Sequence, residues 1–429
     1  MFLQMVEVES YTPLNDRAAT RWENREVESW PGFVRGDRGY RRIVVALFAA
    51  GFATFAQIFG AQAVLPVVRD DLGAPASTAA LLVSVTTVGL AVSVLPWSWV
   101  ADRLGRVRAM KVSLVAATVL SLLAPLAPGF GGVLTVRGLV GLALGAVPAV
   151  AVAYLAEELH VDWVGVAAGT YVAGNTLGGI VGRVTAGPMA ELAGWREGML
   201  VVAALSALSA AVFLLVVPRS RGFGARVGGD GVGAPTFAVR VWSNLRDPSM
   251  VSLYVVGFLV MGSFGAVYNY LGFHVTEPPF GVPETLVSLL FVSYLAGTVA
   301  SRGSGALTRR FGVVPVMLAG LAIMVLGLGL LAVDQLAVAV VGLVVFTVGC
   351  FTAHPVASGL SGRWARVGRA QSTALYQLAW LGGTAFFGWV IGVVYDHAGW
   401  WWVLGAIGGM CAVAALVVVT GLRGRAASE

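Results

Sequence analysis

Trp97-Ser-Trp-Val-Ala-Asp-Arg-Leu-Gly105 and Gly305-Ala-Leu-Thr-Arg-Arg-Phe-Gly312 are the two stretches that decide how this chain is organised. Each closes an apolar run with a charged turn that ends in glycine. Ser98 falls in register with Gly305, and Gly105 with Gly312, at one offset of 207 residues. Pro148 and Pro355 share that offset, while Tyr171 and the triplet Ala193-Gly194-Trp195 return at 205 as Tyr376 and Ala398-Gly399-Trp400. Any one of these matches is weak in a chain with 56 glycines. Four at nearly one offset indicate an internal duplication.

What is duplicated follows from the composition. Charged residues make up 12% of the 429 residues and the mean hydropathy is +0.83, too apolar for a surface facing water. The apolar residues fall in runs of about 18 to 25, the length needed to cross a bilayer as a helix. Twelve such spans start near Ile43, Ser77, Met110, Gly131, Trp163, Gly198, Met250, Thr285, Val314, Leu336, Arg369 and Trp400. The expected fold class is an all-α membrane protein with twelve transmembrane helices in two pseudo-symmetric six-helix bundles. The expected domains are a tail over 1–42, one bundle over 43–217, a Gly- and Arg-rich linker over 218–248, a second bundle over 249–421 and a short tail over 422–429. Cys350 and Cys411, the only cysteines, read as small core residues, and no disulfide or metal cluster is indicated. The polar first forty residues show no secretory signal, so the first span is expected to direct insertion.

Arginine placement gives the orientation. Of 28 basic residues only Lys111 is lysine. With the N-terminus inside, Arg69 and Arg196 alone fall outside, Arg137, Arg183 and Arg302 fall within spans, and the other 23 lie on the inner side. That skew predicts cytoplasmic tails at both ends of a multi-pass protein of the cytoplasmic membrane.

The run Asp102-Arg103-Leu104-Gly105-Arg106-Val107-Arg108 resembles the inner-loop motif of the major facilitator superfamily, Gly-x-x-x-Asp-Arg-x-Gly-Arg, with Ser98 in place of its first glycine. Gly105 supplies the freedom a tight turn needs, and Asp102 stands where a carboxylate can face a helix N-terminus. The resemblance implies that this partner is span 11, latching the halves while the inner gate is closed. Glu157 and Glu158 are candidate partners for Arg103 or Arg106. The alternative is that these charges only enforce orientation. In the second copy Arg309 stands in place of the aspartate, so the latch is expected to be one-sided.

Arg137, with Gly141 and Gly145, resembles the superfamily's span 4 motif, which implies a part in proton or substrate coupling. An arginine at membrane depth is a functional candidate by default, and its alternative is a side chain snorkelling to the outer interface. In span 5, Gly165, Gly174, Gly178, Gly179 and Gly182 resemble the motif of proton-coupled antiporters, with Gly179 in place of its proline and Arg183 in place of its last glycine. Close helix packing explains such glycines equally well. For Arg183 and Arg302, near opposite ends of their spans, snorkelling is the simple expectation. No Asp or Glu stands in the middle of a span, which favours a neutral or anionic solute over a cation.

Gln57 and Gln62 in span 1, Asn175 in span 5, Tyr268 and Asn269 in span 7, and Tyr376, Gln377 and Trp380 in span 11 are the polar and aromatic candidates for lining a solute site. The resemblance implies that these spans surround the central cavity; interhelical bonding is the alternative for each. His354 beside Pro355 reads as a packing residue. Val267-Tyr-Asn-Tyr-Leu-Gly-Phe273 and Ala173-Gly-Asn-Thr-Leu-Gly-Gly179 resemble bacterial drug or sugar efflux permeases.

The expected function is therefore secondary transport of a small solute by alternating access. Proton-coupled export is the first expectation, and uptake or uniport of a small anionic or neutral metabolite the second. The bilayer, the solute and protons are the expected partners; no nucleic acid and no cofactor are expected, and a monomer suffices. A polytopic membrane enzyme would need a convergent cluster of acid, base or metal ligands, and the four histidines are scattered. A sensor on this scaffold would carry an added soluble domain, which the tail is not expected to be.

Overall fold

A helix satisfies its own backbone polar groups, so it is the natural way for long apolar runs to cross hydrocarbon. The structure, a computed structural model, describes residues 30–222 and 236–426. Among these, 12 helices are long and apolar enough to span a membrane: α1 Arg38–Leu72, α2 Ala76–Leu104, α3 Arg106–Leu126, α4 Gly129–Glu158, α5 Val161–Ala193, α6 Trp195–Val216, α7 Pro248–Thr276, α8 Glu284–Phe311, α9 Val313–Leu331, α10 Leu336–Arg363, α11 Arg369–Ala398 and α12 Trp400–Arg425. No strand forms among the described residues; a single bridge pairs Phe33 with Leu159. Residues 1–29 of the expected tail, 223–235 of the expected linker and 427–429 lie outside the described residues.

Helices α1 to α6 form one bundle and α7 to α12 the other. In the first, α1 packs on α5 and α6, and α2 on α4; in the second, α7 packs on α11 and α12, and α9 on α10. The bundles meet through α2 against α11 and α5 against α8. A two-fold operation that exchanges the halves swaps these two pairs, which is the spatial form of the sequence offset. The repeated glycines sit at matching turns. Gly105 and Gly312 have φ of 92° and 87°, and Gly194 and Gly399 have φ of 114° and 79°, a backbone region that side chains disfavour.

Two differences from the sequence reading stand out. Helix α1 starts at Arg38 rather than near Ile43, with Arg42 Nε donating to the Val216 carbonyl at 2.9 Å. The linker is partly helical: Phe237–Arg246 forms a helix capped by Thr236 Oγ1, which accepts from Val239 N at 3.4 Å. Its exposed Phe237, Trp242 and Leu245 alternate with Arg240 and Arg246, the pattern of a helix lying in a membrane interface. A period of 3.6 over ten residues is too short to be read as a span.

Three spans are interrupted. Pro66 cannot donate to the Gln62 carbonyl and its ring would strike it, so α1 is helical to Phe59, a 3-10 turn over Gly60–Val64, and helical again from Leu65. Helix α4 breaks at Gly145, ahead of Pro148. Helix α8 passes through a 3-10 turn over Leu290–Ser293. Such mid-helix turns leave backbone groups in need of partners and often mark places where a helix bends.

Candidate functional site

The first interruption explains Arg137. The last carbonyls before a helix break lose their usual partners, and the Arg137 guanidinium supplies donors there: Nη1 to the Gln57 carbonyl at 2.7 Å, Nη2 to the Ile58 carbonyl at 3.1 Å. Nε reaches the Leu82 carbonyl of α2 at 3.3 Å. One planar group thus braces α1, α2 and α4, and only 4% of it is exposed. Snorkelling is excluded, and the fork is filled by protein. Gln57 is likewise engaged inside the bundle, its Oε1 accepting from Ser121 Oγ at 2.7 Å and its Nε2 donating to the Ala53 carbonyl at 3.0 Å.

On α5, Gly174, Gly178 and Gly182 lie at four-residue spacing and form a seam against α1. A side chain on Gly174 or Gly178 would come within 2.4 Å or 2.2 Å of the Phe48 or Phe52 carbonyl oxygen, and one on Gly182 within 3.1 Å of Ala56. Gly165 faces open space. The glycine spacing is thus accounted for by backbone packing of two helices. Asn175 sits over Gly51, where a side chain would lie 2.2 Å from its Oδ1.

Arg183, one turn beyond Gly179, is the most deeply buried charge of α5, 1% exposed, so snorkelling is excluded here too. Its Nε and Nη2 both donate to Gln62 Oε1, at 2.8 and 2.7 Å, its Nη1 to the Gly179 carbonyl at 2.9 Å, and its Nη2 to the Tyr294 hydroxyl at 3.1 Å. Gln62 Nε2 in turn donates to Asn269 Oδ1 of α7 at 2.5 Å. The guanidinium carbon lies 4.8 Å from the Phe59 ring centre and 4.7 Å from those of Phe291 and Tyr294.

In the second bundle Tyr268 is buried, its hydroxyl 2.5 Å from Ser293 Oγ and 2.7 Å from Thr347 Oγ1. Tyr376 packs on Gly257, where a side chain would clash at 2.8 Å, and its hydroxyl lies 2.9 Å from His354 Nδ1 and donates to the His354 carbonyl at 3.1 Å. Trp380 stands edge-on to the His354 ring at 6.1 Å. Gln377 is half-buried on the same helix. His354 is therefore part of a polar group with Tyr376 rather than a plain packing residue.

The face carrying the described chain ends holds the Asp102 motif. Asp102 is 60% exposed and pairs within its own bundle with Arg106 Nη1 at 2.5 Å, while Arg106 Nε meets Glu157 at 3.1 Å. Arg103 lies over the Trp99 ring at 3.8 Å. Glu158 instead accepts from Ser220 Oγ and from the backbone of Arg221 and Gly222, at 2.7 and 2.9 Å for the latter two. On the opposite face the bundles are tied. Asp396 of α11 accepts from the backbone N–H of Ala76 and Ser77 at 2.9 and 3.1 Å, and Glu191 of α5 accepts from that of Thr285 at 2.8 Å. Arg69 meets Glu277 at 2.5 Å. Helices α2 and α8 start after Pro75 and Pro283, neither of which offers a capping side chain. A carboxylate from the other bundle fills that role at each N-terminus.

These caps were missed in the sequence, although Glu191 and Asp396 share the offset of 205 with the Ala-Gly-Trp triplets. A repeated acid at a repeated helix end was the available signal. The rings around Arg183 had none, because Phe59 lies far along the chain from Phe291 and Tyr294, and all three lie far from Arg183.

The family model of the Major Facilitator Superfamily matches residues 47–303 and 275–428. The chain is 33% identical over 391 residues to the inner membrane transport protein YnfM of Escherichia coli (strain K12), covering 91% of this chain and 93% of that one. It is 32% identical over 380 residues to the uncharacterized MFS-type transporter YybF of Bacillus subtilis (strain 168), covering 89% and 93%. A crystal structure of the peptide transporter POT in complex with sulfate superposes with a TM-score of 0.70 at 16% identity, covering 93% of this chain and 97% of that one. The nucleoside transporter NupG superposes at 0.68 and 14%, covering 89% and 99%. With the duplicated six-helix bundles, the turn motif after α2 and this match over most of the chain together, the chain belongs to the Major Facilitator Superfamily.

Proposed function

We propose that this protein is a secondary transporter that carries a small organic solute across the cytoplasmic membrane by alternating access, acting as a monomer, with both termini in the cytoplasm. One observation supports the reading above the rest. The bundles are tied by helix caps and an ion pair at the face away from the termini, while Asp102 at the other face is turned back to its own bundle. Such an asymmetry is what a solute pathway closed to one side requires. On this orientation the tied face is external.

Proton-coupled export is the direction and coupling assigned first, supported by the likeness of two short runs to efflux permeases. Uptake or uniport of a small anionic or neutral metabolite is the second reading, the anion supported by buried guanidinium groups in spans that carry no central carboxylate. Flux of candidate solutes into and out of proteoliposomes, with and without an imposed pH gradient, separates them. Outward solute movement against its own gradient, driven by inward proton flow, is expected for export; solute moving inward with the protons, or flux indifferent to the pH gradient, gives the second reading.

Sidedness has its own test. In a Cys350→Ser, Cys411→Ser background, Gln335→Cys between α9 and α10 is expected to react with an impermeant thiol reagent outside intact cells, and Gly424→Cys is expected to be shielded. The reverse pattern would invert the orientation and with it the naming of the two gates.

A further inference from the structure

Arg183 occupies the position where the antiporter pattern has glycine. All its hydrogen-bond partners are neutral: an amide oxygen, a peptide carbonyl and a phenol. A buried cation without an anion is unfavourable, and stacked rings compensate only part of the lost hydration.

The Gln62 contact has a shape that indicates what is missing. Two donors along one edge of the guanidinium converge on a single amide oxygen. A carboxylate would offer that edge two oxygens, one to each N–H, and a countercharge as well. We propose that Arg183 is the anion-binding group of the transport pathway and that its ligand is a small organic carboxylate taking the place of the Gln62 amide oxygen. The single edge that Gln62 would vacate suits a monocarboxylate, whose apolar body has Phe59, Phe291 and Tyr294 to rest on. A phosphate or sulfate would bring more oxygens than the vacated edge and the Tyr294 hydroxyl have donors for.

Displacement of Gln62 also does something to the gate. Its Nε2 holds Asn269 of the other bundle, so a ligand that takes over Arg183 frees the tie between α1 and α7. Gln62 lies in the 3-10 turn of α1, and Phe291 in that of α8. The cation is thus held between two of the three places where the spans are not regular helix. Binding of the anion and loosening of the closed face become one event.

This rests on the transporter reading, but its test does not use transport. Purified full-length protein is titrated with acid and amide pairs of one shape, benzoate with benzamide, nicotinate with nicotinamide, acetate with acetamide, and the thermal midpoint and affinity are recorded. At least one acid is expected to bind and stabilise while its amide does not, and Arg183→Gln is expected to weaken the acid roughly tenfold to a hundredfold. Gln62→Glu places a carboxylate of the protein beside Arg183; it is expected to raise the midpoint of the unliganded protein and to remove the response to the acid. The proposal is overturned if no acid in the panel is preferred over its amide, or if Gln62→Glu binds the acid as the parent does. Absence of flux for every solute in proteoliposomes would instead overturn the transporter reading and leave these binding results standing.

Discussion

Arg137→Gln is expected to lower the midpoint of thermal unfolding by roughly 5–10 °C, while the protein that remains folded keeps its solute affinity. The guanidinium makes three hydrogen bonds to carbonyls on α1 and α2, and a bond from a charged donor contributes about 1.5–3 kcal/mol when its partner would otherwise be buried unpaired. A glutamine is shorter and carries two N–H groups on one nitrogen, so it reaches one helix and abandons the other. Arg137→Lys is expected to recover a minor part of the loss, because an ammonium donates from a single point and cannot bridge carbonyls on two helices as a planar fork does. Normal stability with abolished solute binding in Arg137→Gln would show that the brace is dispensable and that the arginine meets the solute, which was the expectation from the sequence.

The contrast between that expectation and the bonded fork of Arg137 marks what the sequence could and could not convey. The spans were legible because each is fixed by its own composition: twenty apolar residues have nowhere else to go. The duplication was legible because turns with positive φ need glycine, so Gly105 and Gly312, or Gly194 and Gly399, recur wherever the turn recurs. The bonding partners of Arg137 and Arg183 were not, because two arginines in apolar helices look alike in one dimension. What separates them is the break in α1. Its first segment ends in carbonyls that take Arg137, and its 3-10 turn carries the Gln62 amide that takes Arg183. Pro66 announced that break, but a proline gives no sign of which distant side chain will answer the freed groups. The glycines of α5 admitted two readings from the start, a functional motif and close helix packing. Their spacing was read beside a functional motif, and three of them are explained by the carbonyls and Cα atoms of α1.

The largest effect on conformation is expected from the paired caps. Asp396 and Glu191 each place a carboxylate on the N-terminus of a helix in the other bundle, so they stabilise the tied state and have no counterpart once the bundles part. Asp396→Asn with Glu191→Gln keeps the size of both side chains and removes both charges. Since the two contacts lie on different helix pairs, their effects are expected to add, shifting the balance toward the state open at that face by about tenfold. A cysteine at Ser84, buried on α2 where a side chain on Gly388 of α11 would come within 3.0 Å, reports the opening. In the Cys350→Ser, Cys411→Ser background its reaction with an impermeant reagent from outside is expected to quicken by that factor. The gain is expected to shrink at high salt, since Glu191 and Asp396 are exposed and their attraction for a helix N-terminus is screened. Asp102→Asn is expected to act with the opposite sign, slowing both Ser84→Cys labelling and transport, because an aspartate latched on α11 can stabilise only the state in which the terminal face is closed. Equal labelling in parent and double variant would reduce the two caps to ordinary helix ends, and faster labelling in Asp102→Asn would remove that residue from the gate.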